Sequence, residues 1–173
     1  FEPICIGSVA LRNRLVMLPM ETNYATEDGH VTPRMVAYYR ARAAQVGLVL
    51  VQIACVESRQ GKAYRCQLCL DDDGMVGGLH HLADAIHGQG ARACIQLHHA
   101  GANGRGDDIV AASALPLMPG RVVPAALDGQ ALTRIVERYG DAAERARAAG
   151  FDGVEVVASG NYLVWNFLSA TWN

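Results

Sequence analysis

The sequence lacks the long apolar runs and the charge clusters that mark several classes of protein. No stretch approaches the ~20 apolar residues of a membrane-spanning helix. The first residues also lack the pattern of a signal peptide, in which a basic segment is followed by an apolar one. Its 15 basic and 17 acidic residues are scattered and leave a formal net charge of -2, so nothing resembles a basic patch for nucleic acid. We therefore expect a cytoplasmic protein with no nucleic-acid partner and no membrane partner.

The number of cysteines is five, an odd count that does not indicate a framework of structural disulfides. Of the five cysteines, Cys55 and Cys94 lie in apolar runs, where a thiol usually packs as a small hydrophobic group. Cys66 and Cys69 form a lone C-x-x-C, whereas a structural zinc site needs four ligands. The sequence therefore predicts free thiols and no metal site.

The chain contains instead a repeated order of apolar strand, polar or glycine-containing loop, and amphipathic helix closed by glycine, which is typical of βα units. A hairpin centred on Gly7 precedes the first unit. No low-complexity tract or charge block divides residues 1–173, so we expect a single partial domain without an internal boundary. The predicted strands are 14–19, 48–56, 91–97 and 154–158, and the predicted helices are 32–47, 73–90 and 129–148.

Four parallel strands with intervening helices fit either a doubly wound sheet or half of an eight-stranded barrel. A doubly wound dinucleotide-binding fold predicts a G-x-G-x-x-G turn after the first strand, but the residues there, MLPMETNYATEDG, contain no glycine cluster. A barrel places varied polar loops after every strand, as this sequence does. The predicted fold class is therefore α/β, as half of a TIM-type (β/α)8 barrel with a leading β-hairpin.

Candidate site residues lie where the predicted strands end. Pro19 donates no N–H and fixes φ, and Met20 offers a polarizable surface to an aromatic ring, although packing of this strand end on its own loop explains both equally well. Ala54 is small enough to let a ligand reach the backbone, a weak signal because small core residues are common. Gln96 is polar in a buried strand, and its amide suits the edge of a heterocycle.

Other polar features follow the last two strands. The adjacent His98 and His99 lie in a strand-to-loop stretch where neighbouring side chains point apart, so a metal pair is not expected. GANGRGDD, residues 101–108, lacks the Lys-Ser/Thr ending of a phosphate loop and is predicted to be a flexible loop. Tyr162 follows the fourth strand, where a phenol can donate a proton to a carbanion or enolate, although aromatic residues near strand ends usually just pack.

Several segments, in order, carry a resemblance to a known family. They are FEPICIGSVALRNRLVMLPM, DGHVTPRMVAYYRARAAQVGLVLVQIACV, GLHHLADAIHGQGARACIQLHHAG, SALP and AGFDGVEVVASGNYLVWNFLS. As an ordered set they resemble the Old Yellow Enzyme family of NADH:flavin oxidoreductases, which includes FMN-dependent ene-reductases and 2,4-dienoyl-CoA reductases. The family fold is an FMN-binding (β/α)8 barrel, which needs about 250 residues, so the resemblance implies that this chain is its N-terminal half.

The resemblance also implies a reaction and a site. NAD(P)H reduces the flavin, which passes hydride to the β-carbon of a small molecule with an activated C=C bond, while an acid protonates the other carbon. Tyr162 is the implied acid. The implied FMN contacts are Pro19, Met20 and Glu21 beside the ring, the Ala54 backbone at the ring edge, and Gln96 at the pyrimidine side.

The sequence departs from the family pattern at three positions. Val157 and Gly160 stand where many ene-reductases have a His–His or His–Asn pair that holds the substrate carbonyl, and the remaining tyrosine is similar to the dienoyl-CoA reductase branch. In that branch an iron–sulfur cluster would lie in a later part of the protein. Glu21 places a carboxylate where it opposes a reduced, anionic flavin.

Half of a barrel would leave two edge strands and an apolar face uncovered, which predicts a complementary half or another subunit as partner. We therefore expect the chain alone to be inactive. The departures also leave open a second interpretation, in which the chain is a non-catalytic half barrel that serves as a structural or interaction subunit.

Overall fold

The computed structural model describes residues 1–105 and 108–173. The strands are β1 Ile4–Ile6, β2 Val9–Leu11, β3 Val16–Met17, β4 Leu48–Cys55, β5 Leu68–Cys69, β6 Arg92–His98, β7 Val110–Ala111, β8 Ala125–Ala126 and β9 Gly153–Val156. The α-helices are α1 Pro33–Ala43, α2 Ser58–Gly61, α3 Val76–His87, α4 Gly129–Ala148 and α5 Leu163–Leu168, and 3-10 turns cover Asp73–Met75 and Gly101–Asn103.

The main sheet is parallel and follows the order β3-β4-β6-β9, with β5 paired to the carboxyl end of β4. Leu48 at the start of β4 pairs with Val16 on one side and Arg92 on the other, so the strands begin at one level. The core lies between this sheet and helices α1, α3 and α4. Parallel neighbours joined through covering helices are the repeating unit of a βα barrel.

The helix ends follow the sequence signals. The Thr32 hydroxyl accepts a hydrogen bond from Met35 N and caps α1, and the Asp128 carboxylate accepts one from Ala131 N and caps α4. After α4 the chain turns at Gly150, whose φ of 89° lies in the left-handed region that glycine adopts without strain. These caps fix where β9 begins.

All four predicted strands are present, and the predicted helix 129–148 is confirmed at both ends. The leading hairpin is confirmed as β1 and β2, with Gly7 in its turn. The strand predicted over 14–19 pairs only through its middle, because it is an edge strand and Pro19 brings no N–H to the ladder. α2, β5 and the β7–β8 pair were not predicted, since such short pieces carry no hydrophobic period.

Some of the large exposed apolar side chains lie at the two edges of the sheet. Leu18 and Met20 beyond β3 are 68% and 60% exposed, and Val156 on β9 is 49% exposed, whereas Val49 and Ile95 inside the sheet are fully buried. A closed barrel has no edge strands, so this pattern fits half of one. No helix within 1–105 and 108–173 is long and apolar enough to cross a membrane.

Candidate functional site

The carboxyl ends of the strands bring together most of the predicted site residues. Pro19, Met20 and Glu21 follow β3, Gln96 lies near the end of β6, and Tyr162 follows β9. Because these strands are parallel members of one sheet, their ends lie along the same edge. In (β/α)8 barrels this edge carries the active site.

Glu21 is tied to β4 by a buried glutamine. Gln52 Nε2 donates to Glu21 Oε1 at 3.0 Å and to Oε2 at 3.2 Å. The Thr22 hydroxyl and backbone N–H donate to Gln52 Oε1 at 2.6 and 3.2 Å, so both polar atoms of the amide are partnered. Asn23 N donates to Glu21 Oε1 at 2.7 Å. Burial raises the pKa of Glu21 to about 7, against the opposing effects of these hydrogen bonds and of Lys62.

A β-bulge in β4 decides which of its residues shares a face with Gln96. β4 has one extra residue, Gln52, relative to β6, after which Ile53 pairs with Gln96 and Ala54 pairs with Leu97. Register partners in a sheet point to the same face. Ile53 therefore shares the face of Gln96, whereas Ala54 is fully buried in the core. The structure does not bring the Ala54 side chain to the site.

Gln96 is paired to β9 through half of its amide. Its Nε2 donates to Glu155 Oε1 at 3.0 Å, across a register pair of β6 and β9. In the part of the chain that the structure describes, no donor reaches Gln96 Oε1, and Glu155 Oε2 is buried without a partner. This pair therefore keeps unused hydrogen-bonding capacity.

Tyr162 is positioned by a buried histidine. Its ring packs edge-on against His98, with 4.2 Å between the ring centroids. His98 Nδ1 lies 2.9 Å from Gln67 Nε2, and because an amide nitrogen only donates, the histidine proton is on Nε2. Gln67 Oε1 accepts from the backbone N–H groups of Ala63 and Tyr64 at 2.8 and 3.2 Å. Gln67 thus connects His98, which packs against Tyr162, to the loop after β4.

Tyr162 and His98 are both held in their neutral forms. Burial, together with the neighbouring Tyr64 and the Glu21 charge, raises the pKa of Tyr162 to about 12. Burial, together with the His99 charge, lowers the pKa of His98 to about 3. Tyr162 therefore carries its phenolic proton at neutral pH.

Gly160, one of the three positions that depart from the family pattern, has a physical explanation. Gly160 has a φ of 69°, and a Cβ there would lie 2.9 Å from Tyr162 Cε2. A side chain at position 160 is therefore incompatible with this placement of the tyrosine ring. Val157 is buried, and its N–H donates to Leu97 O at 3.2 Å.

His99 points away from His98, as predicted, and meets a carboxylate that the sequence pattern did not reveal. His99 Nε2 lies 3.6 Å from Glu57 Oε2, and Arg134 Nε lies 3.6 Å from Glu57 Oε1. The interaction with the neighbouring His99 lowers the pKa of Glu57, against the opposing effect of burial. His99 Nδ1 accepts from Gly101 N at 3.1 Å. This cluster joins the ends of β4 and β6 to α4.

The cysteines are free thiols, and Cys55 and Cys69 are buried register partners of β4 and β5. Within residues 1–105 and 108–173, no group of three or more His, Cys, Asp or Glu side chains could hold a metal ion. An iron–sulfur cluster has no support in these residues. The predicted flexible loop 101–108 includes Gly106 and Asp107, which lie outside the described residues.

Three residues that arrange the site were missed from the sequence, namely Gln52, Gln67 and Glu155. Gln52 and Glu155 each interrupt an apolar strand, which is the signal that selected Gln96. Gln67 carries no such signal, because it lies in a loop and its partner His98 is distant in sequence.

Known proteins share this sequence and architecture. The family model for the NADH:flavin oxidoreductase / NADH oxidase family matches residues 1–173. The chain is 41% identical over 174 residues to NADH oxidase of Thermoanaerobacter brockii, covering 97% of this chain and 27% of that protein. It is 39% identical over 174 residues to NADH:acrylate oxidoreductase of Vibrio harveyi, covering 97% and 17%. The structure of morphinone reductase matches with a TM-score of 0.91 and 29% identity, covering 100% of this chain and 51% of that one.

This chain spans between about a sixth and about a half of the length of these proteins. The structural match extends over the whole parallel sheet and its helices, which confirms the predicted half barrel and its resemblance to Old Yellow Enzymes. The chain belongs to the NADH:flavin oxidoreductase / NADH oxidase family.

Proposed function

We propose that the protein containing this chain is an FMN-dependent oxidoreductase that passes hydride from NAD(P)H to an activated C=C bond. The observation that carries the proposal is the placement of Gln96 and Tyr162 at the carboxyl edge of one sheet: Tyr162 packs against His98, which lies two residues after Gln96 on β6, and the Gln96 amide oxygen meets no donor within the described residues. The relative named for NADH:acrylate oxidoreductase supports an unsaturated substrate.

The residues at the strand ends fit a flavin. The exposed Met20 offers a polarizable surface to an aromatic ring beside Pro19, and Glu21 follows them. Gln96 would hydrogen-bond the pyrimidine side through its free amide oxygen, and Ala54 could contribute only backbone. When bound, FMN supplies hydride transfer between nicotinamide and substrate.

Tyr162 would complete the addition across the double bond. As one carbon of the C=C bond gains hydride, the other gains the phenolic proton, and the phenolate then recovers a proton from water. His98 packs against the ring and fixes its position, while its neutral form adds no charge beside the phenolate. Tyr162 is therefore proposed as the catalytic acid.

The complete site needs more of the barrel. The phosphate-binding loops of such barrels follow strands seven and eight, whereas the main path of this sheet has four strands. We infer that further βα units, in the same polypeptide or in another subunit, cover the exposed apolar residues at both sheet edges. The non-catalytic interpretation also predicts further units that cover these apolar residues, but it predicts no bound flavin.

The test is made on the complete protein that contains this chain. Its visible absorption spectrum should show one bound flavin per barrel, and its oxidation of NADH or NADPH under anaerobic conditions should depend on added acrylate or cyclohexenone. A stable assembly that purifies without flavin, and does not take it up, would refute the proposal and favour the non-catalytic interpretation.

A further inference from the structure

The loop that carries Tyr162 is tied to the rest of the sheet edge by one buried asparagine. Asn166 lies in α5 and is 1% exposed. Its Oδ1 accepts from the Ala102 N–H at 3.0 Å, and its Nδ2 donates to the Asn161 carbonyl at 3.3 Å. Because Oδ1 faces a backbone donor, the amide nitrogen is the atom directed at Asn161. The Asn166 side chain therefore connects the residue before Tyr162 to the loop after β6.

The loop after β6 gives this asparagine a firm support. The Leu163 N–H donates to the His99 carbonyl at 3.0 Å, which joins the start of α5 to the end of β6. Gly101 lies so close to α5 that a Cβ there would overlap Asn166 Oδ1 and the Leu163 backbone. His99 is itself fixed, since its Nδ1 accepts from Gly101 N and its Nε2 lies beside Glu57. The two loops thus interlock.

The held residue has an unusual backbone conformation. Asn161 has a φ of 62°, in the left-handed region that few residues other than glycine adopt. Its side chain is exposed, so packing in the core does not impose this conformation. The hydrogen bond from Asn166 to its carbonyl does constrain it. Because Asn161 directly precedes Tyr162, this conformation decides the direction in which the phenol leaves the backbone.

We propose that Asn166 is a positioning residue for Tyr162, which fixes the backbone before the phenol while His98 packs against the ring. This inference rests on the proposed function, in which the phenol gives its proton to one carbon of the double bond. A proton donor must lie within hydrogen-bond reach of its acceptor, and displacement by about 1 Å is enough to slow a reaction greatly. Loss of the Asn166 hydrogen bond should therefore impair proton transfer to the alkene and spare reduction by NAD(P)H.

The chain offers a matched control at the opposite end of the sheet. Asn13, just before β3, is 7% exposed. Its Oδ1 accepts from the Leu15 N–H at 3.0 Å, and its Nδ2 donates to the Gln45 carbonyl at 3.1 Å. Asn13→Asp and Asn166→Asp therefore make the same chemical change, in which a carboxylate oxygen replaces the donor to a backbone carbonyl. Only the second change lies beside Tyr162.

The experiment uses stopped-flow absorbance on the complete, flavin-loaded protein, with acrylate or cyclohexenone as the alkene. Asn166→Asp should slow reoxidation by the alkene about tenfold or more and leave reduction by NAD(P)H within about twofold. Asn13→Asp should slow neither half-reaction. In a Tyr162→Phe background, Asn166→Asp should slow reoxidation no further, because a residue that acts through the phenol has nothing left to position.

Three results would overturn the proposal. They are equal slowing of both half-reactions by Asn166→Asp, the same slowing of reoxidation by Asn13→Asp, and additive slowing in the Tyr162→Phe background. If Asn166→Asp does not fold, Asn161→Val makes the same test at an exposed position, because a β-branched residue resists the left-handed conformation. It should slow reoxidation selectively, and an unchanged rate would reject the proposal.

A second measurement needs no turnover. In the flavin-free complete protein, Asn166→Asp should speed amide hydrogen exchange of residues 161–163 about tenfold, as measured by mass spectrometry, and Asn13→Asp should leave it unchanged. Faster exchange in a protein that reduces no alkene would reject the proposed function and retain the hold of Asn166 on this loop. Alkene reduction that depends on Tyr162, with exchange and reoxidation unchanged in Asn166→Asp, would reject the role of Asn166 alone.

Discussion

The two sides of the strand-end edge are built from the same residue pair but differ in how completely it is satisfied. On the β3–β4 side, Gln52 donates to Glu21, and both polar atoms of its amide are partnered. On the β6–β9 side, Gln96 donates to Glu155 but keeps a free oxygen, and one Glu155 oxygen is buried without a partner in the described chain.

This difference separates structural roles from binding roles. Buried polar groups without partners are rare in folded proteins, so each identifies a candidate place for a water or ligand that completes the hydrogen bonding. On the β6–β9 side they include His98 Nε2, which lies under Tyr162. The β3–β4 side, by contrast, holds a carboxyl group with a raised pKa in a closed set of hydrogen bonds. We therefore propose that the β6–β9 side carries the proton transfer, whereas the Gln52–Glu21 pair supports the end of β3 beside the flavin.

The largest expected effect is on the β6–β9 side. Tyr162→Phe should slow reoxidation of the reduced protein by an alkene about 100-fold or more, because the proton donor is lost, while reduction by NAD(P)H keeps its rate. Stopped-flow absorbance measures the two half-reactions separately. Tyr38→Phe, in α1, is the control and should change neither. Equal slowing of both half-reactions would assign Tyr162 a structural role.

The next effect concerns stability on the β3–β4 side. Gln52→Leu should lower the free energy of unfolding by about 3 kcal/mol, because it leaves Glu21 and Thr22 without their buried partner. Urea unfolding of the flavin-free complete protein measures this change. Gln130→Leu, at an exposed site in α4, should cost no more than about 0.5 kcal/mol. If Gln52→Leu lowers the free energy of unfolding by less than about 1 kcal/mol, Gln52 does not have the proposed structural role.

A smaller effect comes from the Glu21 carboxyl. The folded protein holds this proton up to about pH 7, whereas the unfolded chain releases it near the usual value of 4.5. Its contribution to stability is therefore greatest at low pH and is lost as pH rises from about 4.5 through 7, by on the order of 2 kcal/mol. Glu21→Gln should remove this pH dependence in urea unfolding at several pH values. Glu27→Gln, an exposed control, should retain it.

The strands, the leading hairpin and the positions of Gln96 and Tyr162 followed from the sequence, because apolar runs and helix caps are local signals. The bulge at Gln52 was not predicted; it shifts the register by one residue, so that Ile53 shares the face of Gln96 while Ala54 keeps only its backbone for a ligand. The hydrogen bond between Gln67 and His98, which holds the histidine against Tyr162, was also not predicted. Gln67 and His98 are far apart in sequence, and only the folded chain brings them to 2.9 Å.

The affinity for FMN tests most directly whether Gln96 contacts the flavin. FMN titrated into the flavin-free complete protein and followed by fluorescence quenching should give a Kd about tenfold higher for Gln96→Leu than for the unaltered protein, as expected for one lost hydrogen bond of about 1.4 kcal/mol. Gln130→Leu should bind FMN unchanged. An unaltered Kd for a folded Gln96→Leu protein would contradict the assignment of the β6–β9 side to the flavin.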